Sequence, residues 1–303
     1  MQEYDVVIIG GGPAGLTAGI YTSRARLKTL LLEKELIGGL VIYAGQVENF
    51  PGFPEGISGM ELGELMRQQA AKYGLETITA ETTRIELQGE QKVLTTTEGR
   101  FVARAVIIAS GSERQKLGVP GEVELTGRGV AVCATCDGAL FADRPVAVVG
   151  GGNAALNEAL HLAKYASRII LIHRRDQLRA TRILQERVLA EPKIEIRWNT
   201  VVDEIEGPDV VRQLKLRDVT TGERTTLEVA GVFVSAGLKP NTDFLKSLLR
   251  LDDARQVVTN ERLETEIPGI FAAGDVRRDS GRQAITAAGD GATAAIYAER
   301  FLS

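Results

Sequence analysis

The chain runs twice through one pattern of apolar and polar positions. Val6-Val7-Ile8-Ile9 carries no polar alternation, as expected of a strand covered on both faces, and Gly10-Gly11-Gly12-Pro13-Ala14-Gly15 turns it into a helix predicted to extend to about Arg26. Lys28-Thr29-Leu30-Leu31-Leu32 supplies the next strand, which stops at Glu33. At a shift of 140 residues the order returns: Val146-Ala147-Val148-Val149, then Gly150-Gly151-Gly152-Asn153-Ala154-Ala155, a helix to about Ala166, and Arg168-Ile169-Ile170-Leu171-Ile172. The register maps Gly10 onto Gly150, Gly12 onto Gly152, Gly15 onto Ala155 and Glu33 onto His173. Strand, crossover helix and strand in this order predict a parallel sheet with helices on its faces.

Each glycine loop has the spacing of a dinucleotide-binding turn. Gly10 permits the tight turn, Gly12 lets the backbone approach a pyrophosphate, and Gly15 lets helix and strand pack closely. The helix N-terminus, entered through Pro13 and Ala14, faces the anion. Gly150, Gly152, Asn153 and Ala155 hold the same places in the second unit. One such loop alone is a weak signal, but Glu33 stands where a carboxylate takes the adenosine ribose hydroxyls, so the first site expects an unphosphorylated ribose, as in FAD or NAD. In the second unit that acid is replaced by His173-Arg174-Arg175, with Arg179 about one turn further along a predicted helix. Arginine forks bind phosphate bidentately, so this site expects NADPH in preference to NADH; a solvated basic face is the plainer alternative.

The intervening stretches fill in the two units. Residues 34–60, with Gly38-Gly39-Leu40 and Glu48-Asn49-Phe50-Pro51-Gly52, read as loops near a ligand or as surface connections. A helix over about 59–73 and strands over about 76–108 follow, ending in Val106-Ile107-Ile108-Ala109-Ser110-Gly111, and Val232-Phe233-Val234-Ser235-Ala236-Gly237 repeats that close. Lys239-Pro240-Asn241 reads as a linker. Gly269-Ile270-Phe271-Ala272-Ala273-Gly274-Asp275 predicts a buried strand delivering an acid at its carboxyl end, where ligands of such sheets bind, and a last helix from about Arg282 to Leu302 begins beside it. The tail is too short for a domain and is assigned to the first unit. The expected fold is therefore α/β, two Rossmann-like three-layer nucleotide-binding domains: 1–112 and 242–303 form one, and 113–241 is inserted into it.

Composition agrees with two cores: 303 residues with 44% apolar content. Thirty-six basic against 40 acidic side chains give a net charge of −4 without a long basic run, which argues against nucleic acid or an anionic membrane as partner. The apolar runs fall well short of the roughly 20 residues that cross a bilayer.

The only two cysteines stand between the glycine loops, in Cys133-Ala134-Thr135-Cys136-Asp137. Such a pair can close a small disulfide, and a helix N-terminus stabilises the thiolate that exchanges with another disulfide, which points to a redox dithiol. Half a zinc site, a structural bridge and two inert core thiols are the other readings. Structural zinc wants four ligands, and only His161 and His173 remain to complete a set, so no metal is expected. Met1-Gln2-Glu3-Tyr4-Asp5 leads straight into a strand with no signal peptide, so a cytoplasmic, reducing compartment is expected, where a passive disulfide would not persist.

Over essentially its whole length the chain resembles the bacterial-type, low-molecular-mass thioredoxin reductases. The resemblance is carried by Gly10 to Gly15, Cys133-Ala134-Thr135-Cys136-Asp137-Gly138, Gly150-Gly151-Gly152-Asn153, His173-Arg174-Arg175 with Arg179-Ala180, Phe271-Ala272-Ala273-Gly274-Asp275, and Arg282-Gln283-Ala284. It implies FAD in the first domain, NADPH in the inserted one, a homodimer, and electron flow from NADPH through flavin to the Cys133–Cys136 disulfide and on to thioredoxin or a thioredoxin-like protein. By the same resemblance Asp137 is the proton donor, although a capping carboxylate is its bland alternative. Asp275 is expected at the ribityl chain, Arg282, Gln283 and Ala284 at the pyrimidine end of the ring, and Asn49 near the isoalloxazine, with Gly39, Leu40, Gly111 and Gly274 in the same cofactor site. Three positions depart from the family: Leu40 where it usually has Gln, Ala139-Leu140 where it has two aromatics, and Asn157 where it often has Glu. The dithiol and nicotinamide share one domain while the flavin belongs to the other. The inserted domain is therefore expected to swing on hinges near Gly111-Ser112 and Lys239-Pro240-Asn241. The competing functions are a flavoprotein serving another dithiol protein, a small-molecule dithiol oxidase, and a redox sensor without turnover.

Overall fold

The computed structural model describes residues 2–131 and 133–303. The chain divides into two compact units, Met1–Glu113 with Pro240–Ser303, and Arg114–Lys239.

The first unit opens with β1 (Gln2–Ile9), α1 (Pro13–Arg24), β2 (Thr29–Glu33), α2 (Gly59–Lys72) and β3 (Glu76–Thr79). A meander of β4 (Thr82–Gln88), β5 (Gln91–Thr96) and β6 (Gly99–Ile108) completes the first segment. The strand order is β3-β2-β1-β6-β5-β4. β1 is parallel to both neighbours, with Ile8 opposite Leu31 and Ile107, and all three side chains are fully buried, which is why these runs show no polar alternation. α2 is started by Ser58, whose Oγ accepts from Glu61 N at 3.1 Å, and it buries Leu62, Met66 and Ala70 against this core.

The second unit is reached through β7 (Ser112–Arg114) and contains β8 (Val130–Ala131), the single-turn α3 (Ala134–Asp137), β9 (Pro145–Val149), α4 (Asn153–Leu162) and β10 (Arg168–Ile172). It continues with α5 (Arg182–Ala190), β11 (Ile194–Arg197), β12 (Thr200–Glu206), β13 (Gln213–Asp218), β14 (Arg224–Glu228) and β15 (Gly231–Val234). Its main sheet, β11-β10-β9-β15-β8, is parallel throughout. β12, β13 and β14 form a separate antiparallel sheet that the sequence pattern did not announce. The chain returns to the first unit through β16 (Leu238–Pro240), which pairs with β7, so the two crossings lie side by side. β17 (Ile270–Ala272) then joins the C-terminal half of β6, and α6 (Ala284–Leu302) closes the unit.

Three element ends differ from the sequence-based expectation. α4 stops at Leu162 because Lys164 and Tyr165 tighten into bonds to the carbonyls of His161 and Leu162, three residues back. Residues 174–181 are a loop, so Arg179 precedes α5. The loop is pinned by Arg179 N donating to Gly151 O (2.7 Å) and Thr181 N donating to Asn153 Oδ1 (2.8 Å). α6 begins at Ala284, since Arg282 sits at φ +51° and Gln283 is the extended cap residue.

Candidate active site

The first glycine loop is fixed by close backbone approach. Gly10 has φ +108°, and a methyl group there would fall 2.6 Å from the Ala109 carbonyl carbon at the end of β6. Gly12 caps α1 without a side-chain partner, Pro13 follows in the first turn, and a methyl on Gly12 would meet only Gly39 Cα, 3.8 Å away. The cradle over the helix N-terminus is thus open to a phosphate group. Glu33, at the end of β2, accepts from Gly11 N (2.6 Å) and Glu35 N (2.9 Å), which holds its carboxylate against the loop. Gly38 N donates to Gly11 O (2.8 Å), and this bond draws Gly39 and the half-buried Leu40 alongside.

Residues far apart in sequence meet in the same unit. Asn49 Nδ2 donates to Gln283 Oε1 at 2.9 Å across 234 positions. Asp275 follows β17 and accepts from Ser280 Oγ (3.1 Å); burial pushes its carboxyl above the usual range, against the pull of Ser280 and Arg282. Gly274, at φ +76°, donates its N–H to Asp290 Oδ2 (2.9 Å), and Arg277 forks onto the same carboxylate (2.7 and 2.9 Å). Sequence reasoning missed Asp290; its only signal was an acid inside an otherwise alanine-rich helix. Gly111 (φ +60°) accepts from Asn241 N at 3.0 Å where the chain leaves and re-enters the unit. Arg282 and Ala284 flank Gln283 at the start of α6, the arginine exposed.

The second glycine loop repeats the first with Asn153 for Pro13, Ala155 for Gly15 and, at the end of the next strand, His173 for Glu33. Gly150 and Gly152 keep their roles, and a methyl on Gly152 would touch nothing within 4 Å. Ala155 is accommodated where Gly15 is obligatory, because a methyl on Gly15 would penetrate the Gly10 carbonyl, 3.0 Å from its carbon. His173 replaces Glu33 but turns inward: it is 4% exposed, lies over Gly151, and shares a 2.9 Å hydrogen bond between Nε2 and Gln177 O. Burial pushes its imidazole below the ordinary range, Gln177 opposes, and Arg179, Arg175 and Arg174 push it down further. Arg174, Arg175 and Arg179 are exposed around it.

Cys133 and Cys136 form a disulfide with Cα atoms 5.3 Å apart. Cys133 caps α3, is 3% exposed, and its Sγ accepts from Cys136 N (3.1 Å); Cys136 is exposed. Asp137 ends α3, half-buried, with its N–H on Cys133 O (3.0 Å). Next to it Leu140 is 69% exposed and lines a cavity of about 580 Å³ with Arg128, Arg144, Val210 and Arg212. Deeper in this unit Glu158 of α4, buried, accepts from Arg114 Nη1 (2.5 Å) and Ser235 Oγ (2.6 Å). Among the described residues no helix is long and apolar enough to cross a membrane, and no cluster of three or more His, Cys, Asp or Glu side chains could hold a metal.

Residues 4–291 match the family described as pyridine nucleotide-disulphide oxidoreductase. A thioredoxin reductase of Streptomyces coelicolor is 46% identical over 302 residues, 99% of this chain and 94% of the relative. The chain belongs to the thioredoxin reductase family. A crystal structure of Lactococcus lactis thioredoxin reductase matches with TM-score 0.96 and 43% identity over 99% of both chains. A bifunctional thioredoxin reductase/thioredoxin of Mycobacterium leprae is 44% identical over 99% of this chain and 66% of its own length. Thioredoxin reductases use FAD and NADPH and act on thioredoxin. Both open glycine cradles, the anchored Glu33 and the exposed arginine loop fit those two nucleotides.

Proposed function

We propose that this enzyme works as an NADPH-dependent thioredoxin-disulfide reductase whose first unit holds FAD and whose second unit holds both NADPH and the reacting disulfide. The observation that carries this reading is the Cys133–Cys136 disulfide one residue before Asp137, in the same unit as a glycine loop flanked by three exposed arginines. Gly10, Gly12, Pro13, Ala14 and Gly15 receive the FAD pyrophosphate, Glu33 its ribose, and Asp275 the ribityl chain. Asn49 and Gln283, already bonded to each other, take the ring end with Arg282 and Ala284. Gly150, Gly152, Asn153 and Ala155 form the NADPH cradle. The 2′-phosphate falls to Arg174, Arg175 and Arg179, while the inward His173 supports their loop.

FAD, when bound, would supply the relay for an electron pair passing from NADPH to the disulfide. Asp137 supplies the proton that one new thiol takes up, and Cys136, the exposed cysteine, attacks the thioredoxin disulfide; Cys133 then displaces reduced thioredoxin and the internal disulfide re-forms. The sum is NADPH, a proton and oxidised thioredoxin giving NADP⁺ and the dithiol. Leu140 with Arg128, Arg144 and Arg212 offers an apolar point among cations, which suits a partner with an acidic rim. The fused thioredoxin of the Mycobacterium leprae relative supports the choice of partner.

The second unit swings as a body on its two crossings. The side-by-side β7 and β16, with Gly111 at φ +60° and Gly237 at φ +132°, support two short pivots. Likeness to the family supports a homodimer and a cytoplasmic site of action; sedimentation checks the first and fractionation the second. The test of the whole reading is anaerobic titration with NADPH and with NADH while flavin absorbance is followed, then addition of thioredoxin. Rapid bleaching by NADPH with recovery on thioredoxin is expected, and bleaching that thioredoxin leaves in place would refute it.

A further inference from the structure

The chain has a single tryptophan, Trp198, and it stands immediately after β11 beside the arginine loop. Its backbone is laced to that loop: His173 N donates to Arg197 O (2.9 Å), Asn199 N to Arg175 O (3.3 Å) and Thr200 N to His173 O (3.0 Å). Thr200 Oγ1 donates to Trp198 O (2.6 Å), and Val219 N reaches back to Asn199 O (2.6 Å), so the turn carrying the indole is held from both sides. The indole meets the His173 ring edge-on, centroids 6.3 Å apart and planes at 73°, and remains 37% exposed.

His173 also rests on Gly151, where even a methyl group would fall 2.7 Å from Nε2. Its bond to Gln177 O closes the Arg174–Gln177 turn, and Arg179 N bonds to the carbonyl of the same Gly151. The imidazole therefore touches both the glycine loop and the indole, and three mutually repelling guanidinium groups hang on the segment it fixes. Removing the indole takes away one of those contacts and lets the cations spread apart.

We propose that Trp198 is a positioning residue for nucleotide specificity, holding His173 and through it Arg174, Arg175 and Arg179 in the arrangement that receives a 2′-phosphate. The inference rests on the reading of this loop as the NADPH site. An edge-on aromatic pair is worth about three- to tenfold in an equilibrium. The holoenzyme and its Trp198→Ala, Trp198→Phe and Arg174→Ala variants are titrated by calorimetry with 2′,5′-ADP and with 5′-AMP. Trp198→Ala should weaken 2′,5′-ADP about three- to tenfold and leave 5′-AMP unchanged, with Trp198→Phe restoring most of the loss. Emission of the sole tryptophan in the unmodified enzyme should respond to 2′,5′-ADP and not to 5′-AMP. Equal weakening of both ligands by Trp198→Ala, or none, overturns the inference while a selective Arg174→Ala leaves the NADPH site standing. An unselective Arg174→Ala overturns both.

Discussion

Substituting Gly15 by alanine tests how the first glycine loop earns its shape. The added methyl would enter the carbonyl group of Gly10, 3.0 Å from its carbon, and also approach Ile8 Cγ2 at 3.4 Å. The obstacle is backbone of the loop itself, so no side-chain rotation relieves it. α1 has to lift off β1, yet its far side is held by α6, where a methyl on Gly291 would fall 2.9 Å from the Ala14 carbonyl carbon. Overpacking of this kind costs about 1–3 kcal/mol, and the better helix propensity of alanine returns about 1 kcal/mol. The net loss of fold stability is about 1 kcal/mol. The displaced Gly12 turn, however, no longer matches a pyrophosphate, and each 1.4 kcal/mol of lost contact is about tenfold in affinity. Gly15→Ala should therefore purify largely without FAD and regain little on adding it, measured by the ratio of flavin to protein absorbance after gel filtration and by melting with and without FAD. The reciprocal Ala155→Gly change removes no clash and should keep full flavin, losing only about 1 kcal/mol as an interior helix glycine. A Gly15→Ala protein with full flavin and an unaltered melting midpoint would refute the argument.

Arg174→Ala or Arg175→Ala should weaken NADPH about ten- to a hundredfold and NADH far less, read from the two Michaelis constants; equal losses would remove the phosphate assignment. Asp137→Asn should slow turnover about 10²-fold with the Michaelis constant for NADPH little changed, and an unaltered turnover number would leave Asp137 as a turn residue. Burial outweighs Arg114 and Ser235 in raising the Glu158 carboxyl. The raised folded value means that stability present below the usual carboxylate range is lost as pH climbs through it. Melting curves of the wild type should show this decline from acid toward neutral pH and Glu158→Gln should lack it; parallel curves would contradict it. A Cys133→Ser variant trapped through Cys136 as a mixed disulfide with thioredoxin should still have its flavin reduced rapidly by NADPH; slow reduction with normal NADPH binding would rule out the swinging second unit.

Apolar runs that end in glycine loops were legible because nothing else satisfies them: strands buried on both faces read as Val6 to Ile9 or Val146 to Val149, and the first position after each, Gly10 or Gly150, leaves room only for glycine. The mapping of Glu33 onto His173 likewise came from register alone. What register could not give was direction. His173 reads as one of three cations, but its ring points into the fold, since a neutral imidazole stacked on Gly151 is cheaper to bury than a charge. Arg179 lies before α5 rather than on it: the helix begins at Arg182 after its cap Thr181, because backbone bonds to Gly151 and Asn153 hold the preceding loop. The sheet of β12 to β14 alternates polar and apolar positions only partly, most of β12 and β13 is half-buried and β14 is largely exposed, so its strands left a faint trace. The contact of Asn49 with Gln283 and the fork of Arg277 on Asp290 join distant segments, and no local pattern reports them.

The insertion of one unit within the other sets an order of events during synthesis. β6 emerges with its C-terminal half lacking the neighbour β17, whose Ile270 pairs with Val106, and that neighbour is not made until the whole second unit has been synthesised. Because β7 and β16 pair at the base of the second unit, its completion brings the two halves of the first together and spares them the search across a long unfolded loop. Asp275, Gln283 and Asp290 all arrive with the late segment. A lesion that slows maturation of the second unit should therefore surface as missing flavin, if the first unit holds it as proposed, far from the altered residue and with every proposed flavin ligand intact.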